Sequence, residues 1–122
     1  MNNPLIKAIR GAICVQDDSK ETIDRSICKL YSKVLEANNL QEEDVAFLLI
    51  TQTGDLKSRN PAAALRKGGF CSVTPLFCMQ ELEIEGMLER VIRLMVVTNG
   101  EVENIVPVYL DGAEKLRPDL VL

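Results

Sequence analysis

Two stretches of the chain are apolar at nearly every position, not only at alternate ones. They are residues 45–51, VAFLLIT, and residues 91–98, VIRLMVVT. A strand with apolar side chains on both faces is typical of the centre of a sheet that is covered on each side. The sequence therefore predicts a sheet as the core of the fold, with one arginine, Arg93, inside a strand that looks buried on both faces.

Three further segments have the apolar, β-branched composition of strands. They are residues 5–15, 70–79 and 105–110. Gly11 predicts a bend or bulge in the first of them, and Pro75 interrupts the second. Pro107 lacks a backbone N–H, so it makes the last segment an edge strand or an irregular one.

Two segments predict helices. The first begins at an N-cap within residues 17–19, where Glu21 follows Asp18 in capping-box spacing, and it ends at residues 38–39. Its apolar positions recur at helical spacing, so only one of its faces packs on the sheet; they are Ile23, Ile27, Leu30 and Val34. The second helix is short and Ala-rich, from Pro61 to the glycines at 68–69.

The resulting order, roughly β-α-β-α-β-β-β over 122 residues, indicates one α+β or mixed α/β domain comprising residues 1–122. We expect a mixed sheet with two main helices on one face. Two helices leave part of such a sheet uncovered, which predicts an oligomer. The tail, residues 116–122, is too apolar for a free end and is expected to dock.

The composition excludes many kinds of chemistry. There is no histidine, so a Ser-His-Asp triad, a Cys-His pair, a His-ligated metal and imidazole acid–base catalysis are all ruled out. The net charge of −4 argues against binding a nucleic-acid backbone. We expect no cofactor, no metal, no nucleic acid and no membrane partner.

The cysteine pattern and the N-terminal residues indicate the cellular compartment. None of the four cysteines forms a C-x-x-C pair, and the first ten residues have none of the features of a signal peptide. No apolar run is long enough to span a membrane. The sequence therefore predicts a cytoplasmic protein with free thiols.

Arginines inside apolar strands are the main functional signal. Arg10 and Arg93 each require an anionic or carbonyl partner, because guanidinium is effectively never deprotonated. One interpretation is a structural ion pair with Glu81, Glu83 or Glu85. The other is that the arginines converge on an anionic ligand, since their forked donors match carboxylates. Cys78 and Tyr109 are, taken singly, ordinary core residues. Together, these features favour a pocket for a polyanion.

Five strings then carry a family resemblance over nearly the whole chain. They are IRGA at 9–12, CMQE at 78–81, RVIRLM at 90–95, VYL at 108–110 and LRPDL at 116–120. In order and spacing, they resemble the small monofunctional bacterial chorismate mutases of the trimeric, barrel-like class. The resemblance implies a homotrimeric pseudo-barrel with active sites between adjacent subunits. It also implies the isomerisation of chorismate to prephenate in aromatic amino-acid biosynthesis, without a cofactor.

The resemblance also implies site residues. Arg93 matches the arginine at the ether oxygen, Arg10 and Tyr109 match the residues at the pyruvyl carboxylate, and Glu81 matches a group at the ring hydroxyl. Arg93 and Glu81 are thus the implied catalytic pair. The implied substrate-binding set is Arg10, Arg66, Phe77, Cys78, Met79, Gln80, Tyr109 and Arg117. Of these, Arg66 would come from the neighbouring subunit, and Arg117 lies in a tail, residues 111–122, that closes over the site.

Three positions depart from the family pattern. Asn60 stands where the family usually has phenylalanine, Ala63 where a charged residue is common, and Phe77 where a small residue is typical. These changes keep open a non-catalytic trimeric module that binds an anionic ligand. A second alternative is an enamine/imine deaminase of similar trimeric fold, which would explain neither CMQE nor LRPDL.

Overall fold

A five-stranded mixed sheet forms the centre of the computed structural model, which describes residues 6–100 and 102–120. The strands are β1 (Ala8–Cys14), β2 (Val45–Gln52), β3 (Leu76–Gln80), β4 (Val91–Thr98) and β5 (Val108–Leu110). The helices are α1 (Lys20–Ala37) and α2 (Pro61–Lys67). Short 3-10 turns occupy Glu42–Asp44, Ala113–Leu116 and Pro118–Leu120.

The strand order across the sheet is β3-β2-β4-β1-β5. The three inner strands pair in antiparallel fashion, β2 with β4 and β4 with β1. Both edge strands pair in parallel, β3 with β2 and β5 with β1. This confirms the predicted mixed sheet and the edge position of the last strand.

Both helices lie on the same face of the sheet, as predicted. Helix α1 packs on β1, β4 and β5, while α2 packs on β2 and β3 and against α1. The core between them consists of alternate strand residues, such as Ile9, Leu48 and Ile92, and the predicted apolar stripe of α1. Burial of this single layer of side chains stabilises the fold.

The start of α1 differs in detail from the prediction. Ser19 is the N-cap, and its hydroxyl accepts a hydrogen bond from the backbone N–H of Thr22 at 3.2 Å. The predicted capping box of Asp18 with Glu21 is wrong. Asp18 instead accepts bonds from the backbone N–H groups of Lys57 and Ser58, both at 3.0 Å, so it braces the loop before α2.

Three strand predictions also need correction. The bend at Gly11 is wrong, because β1 keeps continuous register with β4 from Ala8 to Cys14. A Cβ at Gly11 would lie 3.1 Å from Val34 Cγ2, so this glycine serves the close approach of α1. Residues 70–75 are not a strand, because β3 begins only after Pro75, and β5 is limited to Val108–Leu110. Leu5 and residues 121–122, in the predicted first strand and tail, lie outside the described residues.

The second face of the sheet is uncovered in the single chain, contrary to the expected burial of β2 and β4 on both sides. We call this the bare face: it carries the side chains that alternate with the core residues. Phe47 on β2 is 39% exposed, Phe77 on β3 is 74% exposed and Met79 is 46% exposed. Exposed apolar surface of this kind is typical of interaction sites.

Candidate functional site

Strand register places several of the predicted site residues in two adjacent rows across the bare face. In one row, Ala12 pairs with both Arg93 and Tyr109, and Arg93 pairs with Thr51, the neighbour of Met79. In the next row, Arg10 pairs with Met95. Residues two apart on a strand point to the same face. The period-2 geometry therefore brings Arg10, Arg93 and Tyr109 together from three different strands.

These rows form the floor of a cleft of about 290 Å³. Its apolar lining includes Leu49, Leu94 and Met95, and its polar members are Arg10, Thr51, Glu81, Arg93 and Tyr109. Two guanidinium groups face one carboxylate there, in a chain whose net charge is −4. A small cationic pocket with apolar walls suits a compact anion.

Glu81 links the two interpretations of the strand arginines. Arg93 Nε lies 3.2 Å from Glu81 Oε1, so the predicted ion pair exists with the first of the three candidate glutamates. The Arg93 side chain is 48% exposed, and the hydrogen bonds of the described residues leave both of its terminal nitrogens unused. Arg93 is therefore paired through one edge and available to a ligand through the other, and the expected full burial of this arginine is wrong.

Other predicted site residues lie outside this cleft. Arg66 and Phe77 line an apolar groove beside β2 and β3, together with Phe47 and Leu49. Cys78 and Gln80 line a third depression near the start of α2. The Cys78 thiol donates to Asn60 Oδ1 at 3.5 Å, and burial raises the pKa of this thiol. Within one chain, the structure therefore divides these predicted residues among three depressions.

Arg117 is engaged within the tail. Its guanidinium donates two hydrogen bonds to the Asp119 carboxylate, at 3.0 and 2.8 Å. This pairing lowers the pKa of Asp119, and the charge of Arg10 lowers it further. The tail thus holds an ion pair close to the cleft, while Arg117 itself does not line it.

Thr51, Leu49 and Met95 belong to the cleft but were not among the predicted site residues. Their only signal in the sequence is their place in apolar strands. Assigning them to the site requires the register of β2 against β4, which the hydrophobic pattern alone does not specify.

A larger open cleft of about 790 Å³ lies elsewhere, between α1 and the segment around Arg90 and Asp111. Of its cationic side chains, Lys29 is paired with Asp111 and Arg90 with Glu89. It contains none of the predicted site residues. In the part of the chain that the structure describes, no group of three or more Cys, Asp or Glu side chains is placed to hold a metal ion.

The chain is similar to known proteins over nearly its whole length. The chorismate mutase type I family matches residues 6–120. The chain belongs to this family. It is 38% identical to "Chorismate mutase AroH" of Bacillus subtilis (strain 168) over 120 residues, which cover 97% of this chain and 94% of that protein. It is 40% identical to the protein of the same name from Thermus thermophilus over 119 residues, which cover 95% and 97%.

A solved structure supports the same assignment. A chorismate mutase from Clostridium thermocellum superposes with a TM-score of 0.83 at 39% identity, covering 89% of this chain and 98% of that one. The resemblance carried by IRGA, CMQE and LRPDL is thus confirmed at the level of the family. These matches favour the chorismate mutase assignment over the enamine/imine deaminase.

Proposed function

We propose that the cleft on the bare face binds chorismate and isomerises it to prephenate, with Arg93 as the central catalytic group. The observation that carries the proposal is the arrangement of Arg93, held at one edge by Glu81 and open at the other, beside Arg10 in an apolar-walled cleft. Membership of the chorismate mutase type I family gives the reaction, a step of aromatic amino-acid biosynthesis.

The chemistry suits the residues present. The rearrangement is pericyclic: a C–O bond breaks as a C–C bond forms, and no proton, nucleophile or redox partner is exchanged. Catalysis then requires holding a flexible dianion in its compact form and stabilising the negative charge that grows on the ether oxygen. Neither task requires histidine, because arginine side chains can both hold the dianion and stabilise the developing charge.

We assign the roles that the family resemblance implies, and the chemistry of each group suits its role. The free terminal nitrogens of Arg93 would contact the ether oxygen, and Arg10 with Tyr109 would hold the carboxylate of the pyruvyl group. The Glu81 carboxylate would accept a hydrogen bond from the ring hydroxyl. Preorganised donors of the Arg93 kind contribute about 3–4 kcal/mol of transition-state stabilisation when they are aimed at developing charge.

We further propose a homotrimer in which neighbouring subunits complete the site. Two observations support it: the bare face exposes Phe47, Phe77 and Met79, and Arg66 lies in a different groove from Arg93. In a closed cyclic trimer, one patch of each chain meets a different patch of the next. The Arg66 side of one subunit would then contact the cleft of its neighbour. Phe77, Cys78, Met79 and Gln80 would line the approach, and the tail at 111–122, with Arg117, would cover it.

We place this activity in the cytoplasm. The supporting observation is that Cys14, Cys28, Cys71 and Cys78 are all free thiols, as predicted. A reducing compartment keeps such thiols in that state. Separately, no helix in the described part of the chain has the length and apolar character required to span a membrane.

The test is direct. Purified protein is mixed with chorismate, and the ultraviolet absorbance of chorismate is followed. The product is identified by its conversion in acid, because chorismate and prephenate are isomers of equal mass. We expect enzyme-dependent loss of chorismate and formation of prephenate. Arg93→Lys is the matched variant, because lysine keeps the positive charge but lacks the forked donors of a guanidinium group. We expect its kcat to fall roughly a hundredfold.

The outcomes separate the alternatives. Chorismate that binds but is not consumed at micromolar protein would support the non-catalytic ligand-binding module. An Arg93→Lys variant within threefold of the parent protein would show that Arg93 is structural and that the proposed mechanism is wrong. Urea unfolding of both proteins controls for folding.

A further inference from the structure

Thr51 makes the shortest polar contact in the cleft. Its hydroxyl donates to Glu81 Oε1 at 2.5 Å. The next residue of β2 holds the backbone of the same glutamate, because Gln52 O accepts from Glu81 N at 2.8 Å. Strand β2 therefore fixes Glu81 at two points, one on its backbone and one on its carboxylate.

Both polar contacts on the Glu81 carboxylate fall on one oxygen. Thr51 donates to Oε1, and Arg93 Nε lies 3.2 Å from that same atom. Among residues 6–100 and 102–120, no hydrogen bond reaches Oε2. Oε2 of Glu81 is therefore the acceptor that remains available to a ligand in the cleft.

Arg93 and Glu81 could also pair in a second geometry. An arginine and a carboxylate prefer a bidentate contact, in which two guanidinium nitrogens bind two carboxylate oxygens. That geometry would occupy Oε2 and a terminal nitrogen of Arg93 together. A β-branched residue such as Thr51 is stiff at χ1 within a strand, so its hydroxyl is a fixed anchor on one side of the carboxylate.

We infer that Thr51 is a positioning residue: it holds Glu81 in a one-oxygen contact with Arg93, so that Oε2 and the terminal nitrogens of Arg93 remain available to substrate. The inference rests on the roles proposed above for Glu81 and Arg93. It extends those roles to an uncharged residue. Thr51 would prevent Glu81 and Arg93 from using all their binding atoms on each other.

The experiment is a double-mutant cycle. Thr51→Val removes the hydroxyl and keeps the branched shape, Thr51→Ser keeps the hydroxyl, and Glu81→Gln supplies the second arm. Because a hydrogen bond to a charged group is at stake, we expect Thr51→Val to lower kcat/KM about tenfold. Thr51→Ser should stay within about threefold of the parent, and Thr51→Val should cost nothing further in the Glu81→Gln background.

Each result has a defined meaning. Thr51→Val with parental kinetics, or losses that multiply in the double variant, would overturn the positioning role while leaving the proposed function standing. Parental kinetics for Glu81→Gln would overturn the role proposed for Glu81 itself, and with it this inference. Urea unfolding of each variant, with Thr51→Ala as a smaller replacement, shows whether a loss of activity reflects a loss of folded protein.

Discussion

Cys78 is an ionisable group near the cleft whose pKa the structure shifts, and the direction of the shift matters for the mechanism. Burial raises the pKa of this thiol above its ordinary value. A raised pKa keeps the thiol neutral through the whole physiological range, so Cys78 acts as a packing and hydrogen-bonding group rather than as a thiolate nucleophile. Its contact with Asn60 is consistent with that role.

The activity should therefore be almost independent of pH near neutrality. The chain contains no histidine, arginine stays protonated, and the reaction transfers no proton. We expect kcat and kcat/KM to be flat between about pH 6 and pH 8. A bell-shaped kcat profile in that window, measured in buffers of constant ionic strength, would indicate an acid or base that the mechanism lacks.

Single residues also show how far the sequence leads to the site. Arg10 and Arg93 are recognisable because charge in an apolar strand requires an explanation. Thr51 is not recognisable, since threonine is common in strands and its importance depends on one hydrogen bond to a residue 30 positions away. Roles for Arg66 and Arg117 come from the family resemblance and stay predictions.

At the scale of elements, the existence of the strands was predictable, but the extents of the two edge strands were not. The boundaries of β4 agree with its apolar run, and α1 agrees with its stripe and its predicted end. The extents of β3 and β5 depend on the partner strand, and in each case pairing begins only after a proline. The N-cap of α1 could not be predicted uniquely either. Three adjacent polar residues precede the helix, and only Ser19 caps it.

Helix α2 explains one departure from the family pattern. Asn60 is its N-cap, with Oδ1 accepting from the backbone N–H groups of Ala62 at 2.8 Å and Ala63 at 3.2 Å. Phenylalanine at this position offers no such acceptor. The exchange therefore gives this chain a capped start to the short helix that carries Arg66.

The cap can be tested by stability. Asn60→Ala should lower the free energy of unfolding by about 1 kcal/mol, because two backbone donors lose their acceptor. Asn60→Asp keeps the acceptor and is the matched control, expected to stay close to the parent. Urea unfolding midpoints give both values, and an alanine variant as stable as the parent would show that the cap contributes nothing.

At the scale of the whole molecule, sequence and structure differ in how far they cover the sheet. The sequence predicted both-sided coverage of β2 and β4, but one chain covers only the face under α1 and α2. In the proposed trimer, a neighbouring subunit would cover the other face, and a hydrophobic pattern does not say which chain supplies the coverage. That is the physical reason why the prediction of buried strands failed for the single chain while pointing to an oligomer.

The central claim, a catalytic site shared between subunits, is tested by mixing two defective chains. Arg93→Ala and Arg66→Ala proteins are refolded together in equal amounts, and mass spectrometry verifies that mixed trimers have formed. If Arg93 and Arg66 reach one site from different chains, a site is intact only where the two unmutated partners meet. In a closed ring of three, each site has a probability of one half of receiving an unmutated Arg93 and one half of receiving an unmutated Arg66. Random mixing therefore restores roughly a quarter of the sites.

The predicted result is activity near a quarter of the parent protein's, above the baseline set by each variant alone. The Arg66→Ala baseline is measured separately, since a peripheral contact contributes less than one made in the transition state. If both arginines served the same site from one chain, every site in a mixed trimer would carry one defect. Activity equal to the average of the two variants, in trimers shown to be mixed, would contradict the shared site.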